Sequence, residues 1–61
     1  MVNFFEFKEL RGGTIWINPN EVAYIRSDPD NEDVTEIHLG GGDKVTVAEN
    51  TLATVKKLAA G

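Results

Sequence analysis

The stretch TEIHLGGGDKVTV, Thr35 to Val47, decides the fold. On one side of it Ile37 and Leu39 alternate with Glu36 and His38, and on the other Val45 and Val47 are spaced by two, the period of a strand with one buried face. Between them Gly40, Gly41, Gly42 and Asp43 can supply the positive φ values that a tight turn requires. The stretch therefore reads as a hairpin, with strands over about 34–39 and 44–48 and with Ile37, Leu39, Val45 and Val47 on its inner face.

Upstream, DPDNED (Asp28 to Asp33) reads as a polar loop containing Pro29, and EVAYIRS before it as a strand over about 21–27. Val22 and Ile25 are three apart, which fits a turn running into a strand. Asn18-Pro19-Asn20 must end whatever strand precedes it, because proline has no N–H to donate and fixes its φ near −65°. The Asn side chains bond nearby backbone groups, so a tight turn or a single helical turn is expected there. Before it, TIWI (about 14–17) is β-branched and aromatic, and after Arg11-Gly12-Gly13 it returns as a hairpin on a first strand over about 3–10. Phe5, Phe7, Ile15 and Ile17 then share the inner face.

Downstream, Asn50 is placed to cap a helix over about 51–59, with Leu52, Val55, Leu58 and Ala59 as its inward face, Lys56 and Lys57 near its C-terminal dipole and Gly61 beyond. A helix this short is unstable alone and must pack on the sheet. The expected fold is α+β and mainly β. It is one domain over 1–61, with a four- or five-stranded antiparallel sheet, twisted or partly closed into a barrel, and a single C-terminal helix covering the inner face.

Sixty-one residues bury only about 60% of the surface that the unfolded chain exposes, so the core is small. There is no cysteine, which excludes disulfides and thiolate zinc sites and leaves oligomerisation as the usual way to bury more area. A hydrophobic fraction of 41% is that of a folding chain. No apolar run reaches the length of a membrane span, and Glu6 and Glu9 interrupt the apolar core a signal peptide would need, so the expected location is cytoplasmic. The net charge of −4 is concentrated in Asp28, Asp30, Glu32, Asp33 and Glu36.

The residues that carry chemistry are few. Asp28, Asp30 and Glu32 are spaced like the first ligands of a calcium loop, but the sixth and twelfth positions hold Asp33 and Leu39 where glycine and glutamate are required. His38, the one histidine, stands on an outward position beside Glu36 with no nucleophile in its neighbourhood of the chain. The glycines at 40–42 lie between two strands, where a phosphate-binding loop would open a helix. No catalytic residue, cofactor, metal or small-molecule substrate is therefore expected. Lys8, Arg11, Arg26 and Lys44 interleave with Phe4, Trp16 and Tyr24 in the manner of a stacking surface for single strands, yet the acidic balance weighs against nucleic acid.

The two-residue period that sends Phe5, Phe7, Ile15 and Ile17 inward sends Phe4, Trp16 and Tyr24 outward. A cluster of exposed aromatics has the composition of an interface core. Phe4, Trp16 and Tyr24 are the candidate protein interface, unless the sheet curls so that its ends partly cover them.

INP (Ile17 to Pro19), EVAYI (Glu21 to Ile25) and TEIHLGGGDKVTVAEN running into a short amphipathic helix resemble the small FlbD-type flagellar family and kindred bacterial proteins, from about Phe5 to Leu58. That family carries no catalytic motif, so the resemblance implies no functional residue here. The chain departs from the family in its acidic SDPDNEDV segment and its triple glycine. The element order is also similar to that of LytTR-type DNA-binding domains, which are longer and basic where this chain is acidic. The expected function is a small non-enzymatic interaction module, a homo-oligomer or a docking partner of another protein. A nucleic-acid-binding regulator is the alternative.

Overall fold

The structure, a computed structural model, describes residues 3–60. In chain order it contains β1 (Phe5–Lys8), β2 (Thr14–Ile17), a 3-10 turn (Pro19–Glu21), β3 (Val22–Asp28), β4 (Asn31–Leu39), β5 (Lys44–Val47) and α1 (Thr51–Ala59). The strands form two antiparallel sheets, β1–β2 and β3–β4–β5. The sheets meet where Glu9 bridges to Val47, flanked by hydrogen bonds from the Leu10 N–H to the Thr46 carbonyl (3.0 Å) and from the Ala48 N–H to the Lys8 carbonyl (2.9 Å). The chain is thus mainly β with one C-terminal helix, and β2 and β3 lie at opposite ends of the strand order.

The opening hairpin forms with Ile37 opposite Val45, and its turn closes through the Leu39 N–H to the Asp43 carbonyl (2.8 Å) with Gly42 at φ +97°. Phe7, Ile17, Ile37, Val47 and Leu58 make the buried core, and Phe5, Ile15, Leu39 and Val45 pack half-buried around it with Val22 and Ile25. Asn18 caps the 3-10 turn, its Oδ1 accepting from the Asn20 N–H at 3.0 Å, so Asn-Pro-Asn redirects the chain between the two sheets.

Three features differ from the sequence reading. The acidic segment is not a loop: β4 begins at Asn31, and Pro29 and Asp30 alone connect it to β3. Side-chain-to-backbone bonds tighten this corner, from the Asp30 N–H to Asp28 Oδ1 (2.8 Å) and from the Asp33 N–H to Asn31 Oδ1 (2.9 Å). Next, the three-residue spacing of Val22 and Ile25 marks a β-bulge. The register shifts between Val22 and Tyr24, so the extra residue Ala23 lets both apolar side chains face inward within one strand.

Third, α1 is turned by about one residue, roughly 100°, from its expected face. Thr54 and Leu58 are buried, while Leu52 is 70% and Val55 43% exposed. The cause is a polar latch. The buried Thr35 hydroxyl donates to the Glu49 carbonyl (2.7 Å) and lies 2.9 Å from the Thr51 hydroxyl, which draws the first turn of the helix onto β4. The Asn50 cap holds, with Oδ1 accepting from the Leu52 and Ala53 N–H groups (3.0 and 3.2 Å). Lys57 reaches back across the core, its Nζ 4.4 Å from the Phe7 ring centroid and donating to the Glu6 carbonyl. Gly61 lies outside the described residues.

Candidate interaction surface

The β1–β2 pairing sets Phe5 opposite Ile17, Glu6 opposite Trp16 and Phe7 opposite Ile15. Because Phe7 and Ile17 are buried, Glu6 and Trp16 project from the other face, and Trp16 is 59% exposed. Continuing that register one residue before β1 puts Phe4 diagonal to Trp16 on the same face, within reach of so large a ring. Phe4 is 61% exposed. The two rings are therefore not covered by curling of the sheet.

Tyr24 belongs elsewhere. It sits on the outer face of the other sheet, opposite His38, and stacks on its imidazole with ring centroids 4.2 Å apart and 11° between planes. His38 Nε2 lies 3.1 Å from Glu36 Oε1, and the Arg26 guanidinium is 5.8 Å from the Tyr24 centroid. Tyr24 is still 51% exposed, but its ring already has a neighbour. The three candidate aromatics thus form two sites, Phe4 with Trp16 and Tyr24 with His38. The Tyr24–His38 stack depends on the Ala23 bulge, which brings Tyr24 opposite His38, and its trace in the sequence is the odd spacing of Val22 and Ile25.

A depression of about 370 Å³ lies where β1 parts from β5, lined by Glu6, Phe7, Lys8, Ala48, Glu49 and Lys57. Lys57 is occupied there by the Phe7 ring, the Glu6 carbonyl and, at 3.9 Å, Glu49 Oε1. Among the described residues no group of three or more His, Cys, Asp or Glu could hold a metal ion, and every buried side-chain nitrogen or oxygen has a hydrogen-bond partner. No helix among them is long and apolar enough to cross a membrane. The chain matches no family model, no curated protein and no solved structure.

Proposed function

We propose that the protein is a small non-enzymatic interaction module that associates with a second copy of itself through the outer face of the β1–β2 hairpin. The supporting observation is that two large rings, Phe4 and Trp16, are exposed and fall on one face when the register of the two-stranded ribbon is continued by one residue. A domain with five fully apolar side chains in its core gains stability by covering such a pair, and without cysteines it has no disulfide to lean on. The acidic segment lies in the other sheet, and the charges on this face are Glu6, opposite Trp16, and Lys8, opposite Thr14. The lack of cysteine also suits a reducing compartment such as the cytoplasm.

Sedimentation equilibrium tests this. The wild type should exceed its 6.7 kDa monomer mass as concentration rises, and Trp16→Glu should return it to monomer, since an interface tryptophan commonly contributes about 2 kcal/mol or more. A wild type that stays monomeric at about 1 mM, where even weak association of about −4 kcal/mol would register, defeats the proposal.

The alternative, a nucleic-acid-binding regulator, draws on the Tyr24–His38 stack with Arg26 nearby and with Lys44 opposite His38 on β5. It requires binding of single strands at low salt that weakens as salt rises and is lost in Tyr24→Ala.

A further inference from the structure

We infer that the contact between two copies is made by the open edge of β2, which pairs antiparallel with β2 of the second copy about a two-fold axis at Trp16. The inference rests on the proposed self-association through the β1–β2 hairpin and moves the main contact from its outer face to its β2 edge, so that the two Trp16 rings meet at the axis and no facing sheet covers them. The Glu9 N–H bonds to the Gly13 carbonyl at 3.1 Å, and hydrogen-bonded pairs alternate along an antiparallel ladder. With this register Ile15 and Ile17 spend their backbone groups on β1, whereas the N–H and C=O groups of Thr14 and Trp16 and the N–H of Asn18 point away from β1; the Asn18 C=O already accepts from the Glu21 N–H (2.9 Å) and keeps one lone pair. Asn18 is still extended, at φ −83° and ψ 117°.

The two ends of the strand order are not equivalent. β3 carries the devices that discourage edge pairing: the Ala23 bulge, the charges of Arg26 and Asp28, and Pro29 just beyond. β2 reads Thr-Ile-Trp-Ile, with no charge, proline or bulge. It is also self-complementary about Trp16. Gly13 and Pro19 stand three residues to either side, so in this pairing the proline that ends the strand in one copy faces a glycine of the other, where no side chain obstructs it. Thr14 faces Asn18, Ile15 faces Ile17, and Trp16 meets Trp16 across the axis. About four backbone hydrogen bonds reach unoccupied carbonyls, two more from the Thr14 N–H groups share the Asn18 carbonyls with Glu21, and the two ribbons become one four-stranded sheet. Both tryptophans then lie on one outer face, each flanked by Phe4 of its own chain.

A standard interface of about 800 Å² per partner would take roughly a fifth of the 4234 Å² this chain exposes. Five edge residues, Trp16 among them, and Phe4 cover less, so the dimer should be weak and should form between about 10 µM and 1 mM. The test is amide hydrogen exchange by NMR across that range, alongside sedimentation. The amides of Thr14, Trp16 and Asn18 should slow with concentration, about tenfold where nine-tenths of the chain is dimeric, while those of Ile15 and Ile17 are protected throughout. Thr14→Pro removes an edge donor and no bond within the monomer, and should weaken dimerisation about tenfold. The exchange measurement on wild type stands even if that variant fails to fold. A dimer whose Thr14 and Trp16 amides exchange as in the monomer overturns edge pairing but leaves association through the aromatic face in place. Protection shared with β3 amides marks head-to-tail pairing and also overturns it. A chain that remains monomeric overturns both.

Discussion

Replacing Thr35 with valine should unlatch the helix from β4. The Thr35 side chain is fully buried, and its hydroxyl serves both the Glu49 carbonyl (2.7 Å) and the Thr51 hydroxyl (2.9 Å). Valine keeps the shape and removes both contacts. A hydrogen bond contributes about 1 kcal/mol net, and a buried partner left without one costs about 1–3 kcal/mol. Glu49 and Thr51 are half-buried and can turn partly to water, which holds the cost to the lower part of that range. The added methyl recovers up to about 0.8 kcal/mol. The net loss is then about 1 kcal/mol, or about 4–8 °C in Tm for a domain of this size. Thermal unfolding by circular dichroism measures it. Thr51→Val and the double variant complete a cycle, in which the two substitutions together should cost less than their sum by at least about 0.5 kcal/mol. If Thr35→Val is as stable as wild type, or if the pair is additive within about 0.3 kcal/mol, the latch does not hold the helix.

The helix orientation has a second test: Leu58→Ala should cost about 2–5 kcal/mol and Leu52→Ala less than about 0.5 kcal/mol in urea unfolding, whereas the inward face suggested by apolar spacing alone would make both costly. In the β4–β5 turn, Gly42 sits at φ +97° and Gly41 does not share that conformation, with open space at its Cβ position, so Gly42→Ala should lower stability by about 1–2 kcal/mol and Gly41→Ala should leave it unchanged or slightly raise it. Calcium at millimolar concentration should not move Tm, because Asp28 Oδ1 and Asn31 Oδ1 already accept from backbone N–H groups in a closed hairpin; a rise of several degrees with calcium and not magnesium would show a site there.

The sequence by itself determined whatever depends on neighbours in the chain. Alternation at 35–39 and 44–47, the glycines between them, proline at 19 and the asparagine caps at 18 and 50 act over a few residues, where steric limits on φ and local hydrogen bonds leave little choice. They indicated five strands, a turn at 18–20 and the helix, and they sent Phe4 and Trp16 outward, but they began β4 at about 34 where it starts at Asn31. What only the tertiary structure decided is how these pieces align. The Ala23 bulge sets which residue of β3 faces His38, so the Tyr24–His38 stack and the separation of Tyr24 from Trp16 follow from strand pairing. The rotation of α1 is of the same kind. Judged by hydrophobicity, Leu52 and Val55 belong inside, yet in a core this small the bonds from Thr35 to Glu49 and Thr51, fourteen and sixteen positions along the chain, fix the helix before apolar area can. A hydrogen bond in a buried place is directional and is costly to leave unmade, whereas hydrophobic burial is not directional and tolerates a turn of one residue. No pattern of apolar spacing records where such a bond will close.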